Sequence, residues 1–547
     1  MIWTFISRFL QRSAVVRFLM IPLLFGVFAL SVTGITILTH RKPVLDSISP
    51  AIAEPGEILV LQGRHFGDER GDKWLEIAGS RLSESAYIKW TDTTIMASIP
   101  PAVDDGLVYV VNQYGKSNPR IFANKNNIPV TARINYEIGL PEISSISSLV
   151  TETGAALTII GKNFGITKGK SVVLFSWQID QAIPVSPISR TSQSSIACSE
   201  HDFDYELWSD MELHVRVPDG AISGNMYVQT ERGISNPVSV EILNVCGTKK
   251  YINRHAFVLT LEVDITGVSA SDGNMLFLRV PLPEISATQR SVEVTASSPE
   301  PYMENYHGAI LHQLENLKSG RNEKITHSYL LTNYGVTTSV NPALVKPFSD
   351  TKSPLYLMYT NADRIVPSDN GDIILKAASI TGQEKNPYKK ALLIYSWITG
   401  NIASGTAVNP DRPVIEALTS KSGDAYDKAI LFSALTRAAG IPSLPVAGIL
   451  VDAQQNSRTH WWAEFYLEGF GWVPVDPGLG GDEYFGSLDV YHIAFSRGWT
   501  EEKPMAPKSR IVYKPRSFAF QPIWEEAGGN IKGYTSFWAE PKVTGAY

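Results

Sequence analysis

An internal repeat is the feature of this sequence that most restricts its fold. Residues 43–49 return as residues 141–147, and a Gly-x-x-Phe-Gly segment at 63–67 returns at 161–165, both at a spacing of 98 residues. Later motifs return at a spacing of 118 residues: Trp90-Thr91-Asp92 as Trp208-Ser209-Asp210, and Ser117-Asn118-Pro119 as Ser235-Asn236-Pro237. Because one pattern occurs twice, we expect two copies of one small module in the first half of the chain.

Each copy has the pattern of an all-β sandwich. Short apolar runs, such as 58–61 and 107–111, lie between Gly and Pro residues, which is typical of strands joined by turns. The repeated Gly-x-x-Phe-Gly segment needs glycine where the backbone φ is positive. These motifs resemble the IPT/TIG family of immunoglobulin-like domains, over residues 43–124 and 140–243. The resemblance implies two immunoglobulin-like sandwiches that serve as spacers or as binding modules.

A second pattern, in residues 422–442, predicts a loop that leads into a buried helix over 425–439. Apolar residues recur there near helical spacing, and Gly440 followed by Pro442 ends the helix. Two motifs follow: His460-Trp461-Trp462-Ala463-Glu464 and Gly471-Trp472-Val473-Pro474-Val475-Asp476. The ordered set resembles the transglutaminase-like superfamily, which includes transglutaminases, related cysteine peptidases and peptide N-glycanases. The resemblance covers residues 350–547 and implies an α+β, papain-like domain whose helix packs on an antiparallel sheet.

The same resemblance implies a catalytic set, and one position departs from it. His460 stands at the position of the family's general base, and Asp476 at that of the residue that orients this base. Ala425 stands where the family has its nucleophilic cysteine. Such enzymes attack an amide carbon with a thiolate that a helix N-terminus and an imidazole activate. Because a methyl group has no proton to give and no lone pair to attack with, we expect a pseudoenzyme that serves in binding or scaffolding.

Several alternatives stay open from the sequence. His460 and Asp476 are either a leftover polar pair that joins two strands or part of a groove that still binds a peptide or glycan-peptide ligand. Three aromatic residues would form the walls of that groove: Trp461, Trp462 and Trp472. The domain is an active Cys-His-Asp acyltransferase, amidase or peptidase if Ala425 is an introduced mutation, or if an unexpected group acts. A structural assembly component built from the immunoglobulin-like modules is the remaining hypothesis.

Residues 247–345 predict a third β-rich module. Runs at 256–263, 275–280 and 328–332 have the composition of strands. They resemble the β-sandwich that often precedes a transglutaminase-like core. The predicted architecture is therefore multidomain: all-β immunoglobulin-like sandwiches, followed by an α+β domain and preceded by a transmembrane segment within residues 1–42.

That segment is an uncharged stretch of 22 residues, 18–39, which is long enough to span a bilayer as a helix. Three arginines precede it, so we expect the N-terminus in the cytoplasm and the bulk of the chain in the periplasm or outside the cell. A cleaved signal peptide is the alternative. The chain has no Asn-x-Ser/Thr sequon, which favours a bacterial cell envelope. We expect two partners, the membrane and a protein or peptide ligand of the envelope. The net charge of −6, without a basic cluster, argues against nucleic acid.

Two cysteines in 547 residues exclude a disulfide framework and a Cys-based zinc site, and we expect no metal or other cofactor. Cys198 lies in a region where the second repeat carries 20 extra residues, between Gly165 and Trp208, and Cys246 follows that repeat. In an exported protein these two residues can form a disulfide that pins the inserted segment. Two free, buried thiols are the alternative.

Overall fold

The computed structural model describes residues 41–53, 56–83, 86–100, 103–104, 106–124, 139–177, 195–271, 274–304, 308–405, 412–499, 510–514, 516–520, 524–528 and 531–547. The chain divides into two compact units, Met1–Asn135 and Tyr136–Tyr547. Among the helices of the described ranges, none has both the length and the apolar character needed to cross a membrane. The predicted transmembrane stretch, 18–39, lies outside those ranges.

The first unit is a sandwich of two sheets. Its strands are β1 Val44–Ser49, β2 Ile52–Ala53, β3 Ile58–Arg64, β4 Trp74–Ile77, β5 Ser80–Arg81, β6 Tyr87–Trp90, β7 Thr94–Ser98, β8 Gly106–Asn112, β9 Gly115–Lys116 and β10 Arg120–Asn124. One sheet has the order β1-β3-β7-β6, and the other has the order β2-β10-β8-β4-β5, with β9 paired to β8. Alternate residues such as Leu59, Leu61, Ile95 and Ala97 are fully buried between the sheets, as the period of two requires.

The contacts of the Gly-x-x-Phe-Gly turn explain why the same residues occur in both copies of the repeat. A side chain at Gly63 would place its Cβ 2.0 Å from the carbonyl oxygen of Val44, so only glycine fits. The backbone N–H of Gly67 donates to Asp92 Oδ1 at 2.9 Å, and the indole N–H of Trp90 donates to the carbonyl of Phe66 at 3.1 Å. The Trp-x-Asp motif therefore holds the turn in place.

The second unit begins with a module of the same topology. Its strands are β11 Glu142–Ile146, β12 Val150–Glu152, β13 Ala156–Lys162, β14 Val172–Ser176, β15 Ser195–Ala197, β16 Tyr205–Trp208, β17 Glu212–Arg216, β18 Gly224–Thr230, β19 Gly233–Ile234 and β20 Val238–Leu243. The sheet orders are β11-β13-β17-β16 and β12-β20-β18-β14-β15. The backbone N–H of Gly165 donates to Asp210 Oδ1 at 2.9 Å, as in the first copy. The indole of Trp208 also binds the turn, at 3.1 Å, but its acceptor is the carbonyl of Gly165, one residue after the equivalent acceptor of the first copy.

A third β module follows, with long strands. They are β21 Gly247–Ala270, β22 Met275–Pro281, β23 Gln289–Ser298, β24 Ala309–Glu315 and β25 Glu323–Val340. The strands β21 and β25 pair antiparallel along most of their length, with an irregularity between Ile252 and His255. Their alternate residues, such as Leu259, Leu261 and Val263, are fully buried in a core of this module.

The α-helical part comes next. Its helices are α1 Pro354–Thr360, α2 Gly371–Thr381, α3 Pro387–Asn401, α4 Glu416–Ser420 and α5 Ala425–Ala438. Its strands are β26 Ala403–Ser404, β27 Ser422–Gly423, β28 Ser443–Val451, β29 Ser457–Leu467, β30 Gly471–Val475, β31 Ser487–Leu488 and β32 His492–Arg497. Four of these strands form an antiparallel sheet in the order β30-β29-β28-β32.

Helix α5 is the interior element of this part, and its sequence explains both of its ends. Asp424 is the N-cap and forms a capping box with Asp427, and Gly440, with a φ of +79°, follows its last turn. Every residue from Tyr426 to Arg437 is buried. A helix buried on all sides lies inside a core rather than on a surface, as the sequence predicted for 425–439.

The C-terminal strands correct one prediction. The sequence places all of 350–547 in the transglutaminase-like domain. The strands β33 Arg510–Tyr513 and β34 Trp524–Gly528 instead extend the sheet β24-β22-β34-β33. The strands β35 Ile531–Trp538 and β36 Lys542–Ala546 both pair with β21. Residues from the end of the chain therefore complete the third β module. A local sequence pattern does not reveal this long-range strand pairing.

The predicted disulfide is also wrong. Cys198 and Cys246 are free and buried. The thiol of Cys198 lies 3.4 Å from the carbonyl oxygen of Arg216, and that of Cys246 lies 3.5 Å from the carbonyl oxygen of Leu344. The two side chains pack in different hydrophobic clusters, so the alternative of two free thiols holds.

Candidate functional site

The N-terminus of α5 is fixed by a buried charge cluster. The carboxylate of Asp427 is fully buried and accepts hydrogen bonds from Arg412, from Arg516 at 2.5 Å and from the backbone N–H of Asp424 at 3.2 Å. Arg516 also donates to Asp424 Oδ2 at 2.7 Å, and its guanidinium lies 4.2 Å from the ring centre of Tyr426. Ala425 lies between Asp424 and Asp427, so the ion pairs and capping hydrogen bonds of these two residues fix its position.

Ala425 lies beside the turn that follows β30. A Cβ built on Gly478 would lie 2.8 Å from the Cβ of Ala425 and 3.0 Å from Asp476 Oδ1. The methyl group of Ala425 and the carboxylate of Asp476 therefore both lie close to Gly478. Asp476 Oδ1 itself accepts from the backbone N–H groups of Gly478 at 2.8 Å and Leu479 at 3.0 Å. These bonds orient the carboxylate and leave its other oxygen for side-chain partners.

That second oxygen is shared by two histidines. Asp476 Oδ2 lies 2.6 Å from His460 Nε2 and 3.1 Å from His492 Nε2, and Asp489 Oδ1 lies 2.8 Å from His492 Nδ1. His460, Asp476 and His492 are all nearly fully buried. The structure thus brings together the predicted pair, His460 and Asp476, and adds a second imidazole and a second carboxylate that the sequence analysis missed.

The charges in this chain of contacts shift two pKa values. Burial alone raises the pKa of the Asp476 carboxyl, but the charges and hydrogen bonds of His460 and His492 outweigh it and hold that pKa well below its usual range. Burial lowers the pKa of His492, but its hydrogen bonds to Asp476 and Asp489 outweigh burial and raise it to about 9. Near neutral pH, the site therefore holds an ionised Asp476 beside a charged His492.

A lysine lies close to the same carboxylate. Lys428 follows Ala425 by three residues on α5, and its buried amine donates to Ser404 Oγ at 2.9 Å. Burial lowers the pKa of this amine, and the charge of Asp476 opposes that shift. Since β26 pairs with β27, Ser404 lies directly beside Gly423. The surroundings of Ala425 are therefore polar, although no thiol reaches them.

The three predicted wall residues do not lie on one face. Trp462 and Trp472 line a cavity of about 350 Å³ between the second β module, the third module and the four-stranded sheet. Trp461 instead points toward α5, where it contacts Tyr426 at 5.5 Å between ring centres and donates to the carbonyl of Ser517 at 3.1 Å. Successive side chains of a strand point to opposite faces, so Trp461 could not share a wall with Trp462.

Charged and aromatic side chains line this cavity together. Arg497 donates to Glu464 Oε2 through two nitrogens, at 2.9 and 2.7 Å, and lies 3.4 Å from Asp202 Oδ1. Trp472 donates to the same Asp202 oxygen at 3.0 Å. Because Asp202 belongs to the second β module, these bonds join that module to the sheet. His492 and Asp489 also line the cavity, which therefore reaches the buried histidine cluster.

Comparison with known proteins identifies two domains. The family model of the transglutaminase-like superfamily matches residues 376–477, and that of the IPT/TIG domain matches residues 43–129. The chain therefore contains a transglutaminase-like domain and an IPT/TIG domain, which confirms those two predictions. The assignment of 140–243 to the IPT/TIG family stays a prediction, which its repeated strand order supports.

Individual proteins are similar over parts of the chain. An uncharacterized protein of Haemophilus influenzae is 28% identical over 284 residues, which are 44% of this chain and 75% of that protein. A candidate cysteine protease of Cytophaga hutchinsonii has a solved structure that matches 53% of this chain and 92% of its own, with 15% identity and a TM-score of 0.37. The periplasmic domain of TgpA from Pseudomonas aeruginosa matches 40% of this chain and 87% of its own, with 13% identity and a TM-score of 0.22.

Proposed function

We propose that this chain is a protein of the bacterial cell envelope whose transglutaminase-like domain has lost its nucleophile and acts by binding a peptide or glycan-peptide ligand. One observation carries the proposal. The first residue of α5 is Ala425, it neighbours Asp476, and Asp476 still contacts His460 at 2.6 Å. The acid–base pair is thus present without a group that can form an acyl-enzyme intermediate.

Neither cysteine of the chain can take the missing role. Cys198 packs in the core of the second β module. Cys246 lies near Gly469, beyond the end of β29, whereas His460 lies near the start of that strand. The seven residue steps from His460 to Leu467 span roughly 23 Å of extended chain. Burial raises the pKa of both thiols, which disfavours the reactive thiolate.

The cavity lined by Trp462 and Trp472 is the binding site that we assign to this function. Indole rings give apolar contact to a sugar face or a side chain, and the surrounding carboxylates, arginines and amides give hydrogen bonds to a polar ligand. A volume of about 350 Å³ accommodates one peptide side chain or one sugar with its linkage. The uncharged stretch 18–39 would anchor the chain in the membrane and keep this cavity on the outer side.

Filling the cavity tests this assignment. Ala197 is an exposed residue of β15 that lines the cavity. The variant Ala197→Trp would therefore place an indole ring in the cavity, where the ligand is proposed to bind. We expect one of two probes, a glutamine-containing peptide or a disaccharide-peptide, to bind the full chain in titration calorimetry. Ala197→Trp should then weaken binding at least about tenfold, which corresponds to about 1.4 kcal/mol.

The matched control is Ala51→Trp, at an exposed alanine of the first unit, which should leave binding unchanged. If neither probe binds, or if both variants bind as the unmodified chain does, the cavity is not the ligand site.

A further inference from the structure

We propose that His460, Asp476 and His492 form a binding site for a divalent transition-metal ion such as zinc. The inference goes beyond the binding of a peptide or glycan and does not depend on it. The three side chains converge on one point. One ligating atom from each residue lies within 4.8 Å of the other two, and all three residues are buried. They come from β29, from the turn after β30 and from β32, so the tertiary fold assembles the cluster.

The types of the three groups suit such an ion. Two imidazole nitrogens and one carboxylate oxygen are a ligand set that zinc and other divalent first-row metals accept. Around a tetrahedral zinc ion, neighbouring ligand atoms lie roughly 3.3 Å apart. The two histidine nitrogens lie 2.6 and 3.1 Å from Asp476 Oδ2. Small side-chain movements therefore suffice to place an ion among the three atoms, where it would replace the protons now shared by them.

Two of the three residues, His492 and Asp476, have outer contacts of the kind that metal ligands need. Histidine ligands usually donate their second ring N–H to a carboxylate or carbonyl, which fixes the ring and its tautomer. His492 has this contact, since Asp489 Oδ1 lies 2.8 Å from Nδ1 and leaves Nε2 to face Asp476. The carboxylate of Asp476 is oriented in the same way, because two backbone N–H groups occupy Oδ1 and leave Oδ2 to face both imidazoles.

The cluster can also be reached from the cavity, and the ring of Trp462 packs beside both histidines. His492 and Asp489 line the cavity of about 350 Å³, so an ion can arrive from that side. The ring of Trp462 lies 5.3 Å from that of His492 and 6.4 Å from that of His460, between ring centres. With three protein ligands, a fourth position stays available to water or to a donor atom of a ligand in the cavity.

Metal retention by the full chain tests the site. After chelator treatment and dialysis against zinc, elemental analysis should find one zinc ion per chain, and Co²⁺ in its place should give the visible absorption of a low-symmetry nitrogen–oxygen site. The variant His492→Gln should lose this ion. The variant Asp489→Asn changes a half-exposed residue outside the ligand set, so it should still fold, and it should weaken affinity about 10- to 100-fold.

His214→Gln is the matched control, because His214 is a partly exposed histidine of β17 with one carboxylate partner, Glu212. It should retain one ion per chain. Zinc should also raise the unfolding temperature of the unmodified chain and of His214→Gln, but not that of His492→Gln. The proposal fails if the unmodified chain retains no stoichiometric ion, or if Asp489→Asn and His214→Gln bind zinc equally well.

Discussion

The variant Asp427→Asn should lose about 3–5 kcal/mol of local stability at helix α5. The carboxylate is fully buried and is the common partner of Arg412 and Arg516. Its removal leaves two nearly buried guanidinium groups, and only Arg516 keeps a second carboxylate, that of Asp424. Leaving a buried charge without its partner costs more than the pair itself contributes. The N-terminal turn of α5, and Ala425 with it, should therefore open more often.

Amide hydrogen exchange measures this effect where it occurs, since it reports the opening of one segment in a chain of several modules. The matched control is Asp372→Asn in the first turn of α2, because Asp372 is also an acidic residue in a first helical turn but is exposed. It should change the opening free energy of α2 by no more than about 0.5 kcal/mol. Equal small effects of both variants would show that the buried charge cluster does not hold the helix.

The third β module should lose stability as the pH falls below about 6.5, the usual pKa of histidine. His312 and His327 are buried in its core, one on β24 and one on β25, with their Nε2 atoms 2.9 Å apart. Burial lowers the pKa of His312 to about 4, and burial together with the charge of His312 lowers that of His327 to about 3. Among the described residues, no group forms a hydrogen bond with His327 Nδ1, so a proton added to this buried nitrogen would have no acceptor.

The sign follows from proton uptake. Between about pH 6.5 and pH 4, the unfolded chain binds protons at these two positions and the folded chain does not, so acid favours unfolding. The stabilisation is complete above about pH 6.5, and each histidine costs up to about 1.4 kcal/mol per pH unit below it. The pH dependence of urea unfolding measures this slope.

A double variant, His312→Leu with His327→Leu, should flatten the acid limb of that curve. His214→Leu, at a partly exposed histidine, should leave the limb unchanged. An unchanged slope in the double variant would mean that the two histidines do not carry the acid sensitivity.

Much of this architecture could be predicted from local sequence because it follows from local rules. The repeated Gly-x-x-Phe-Gly turn demands glycine at Gly63, where a Cβ would meet a carbonyl oxygen at 2.0 Å. Helix α5 begins at its capping box and ends before Gly440. The separation of Trp461 from Trp462 was also available in the sequence, because adjacent residues of a strand face opposite sides.

Other features depend on long-range pairing, and no local pattern reveals them. His492 reaches Asp476 from a strand 16 residues later, and Arg516 reaches Asp427 across 89 residues. The pairing of β35 and β36 with β21 joins the end of the chain to the first strand of the third β module in the same way. Cys198 and Cys246 show the converse: the expectation of an exported chain favoured a disulfide, but only three-dimensional packing decides whether the thiols meet.

The measurement that tests the central claim most directly compares the full chain with its Ala425→Cys variant. Each is assayed for labelling at residue 425 by iodoacetamide and for release of ammonia from a glutamine-containing peptide. The unmodified chain should release none. The variant thiol lies at the first residue of α5, where the partial positive charge of the helix N-terminus favours the thiolate, so its pKa should fall. It should label faster than a free thiol and faster than Cys198 or Cys246. Turnover by the unmodified chain, or a variant thiol that labels no faster than a free one, would contradict the account of a preorganised site that lacks only its nucleophile.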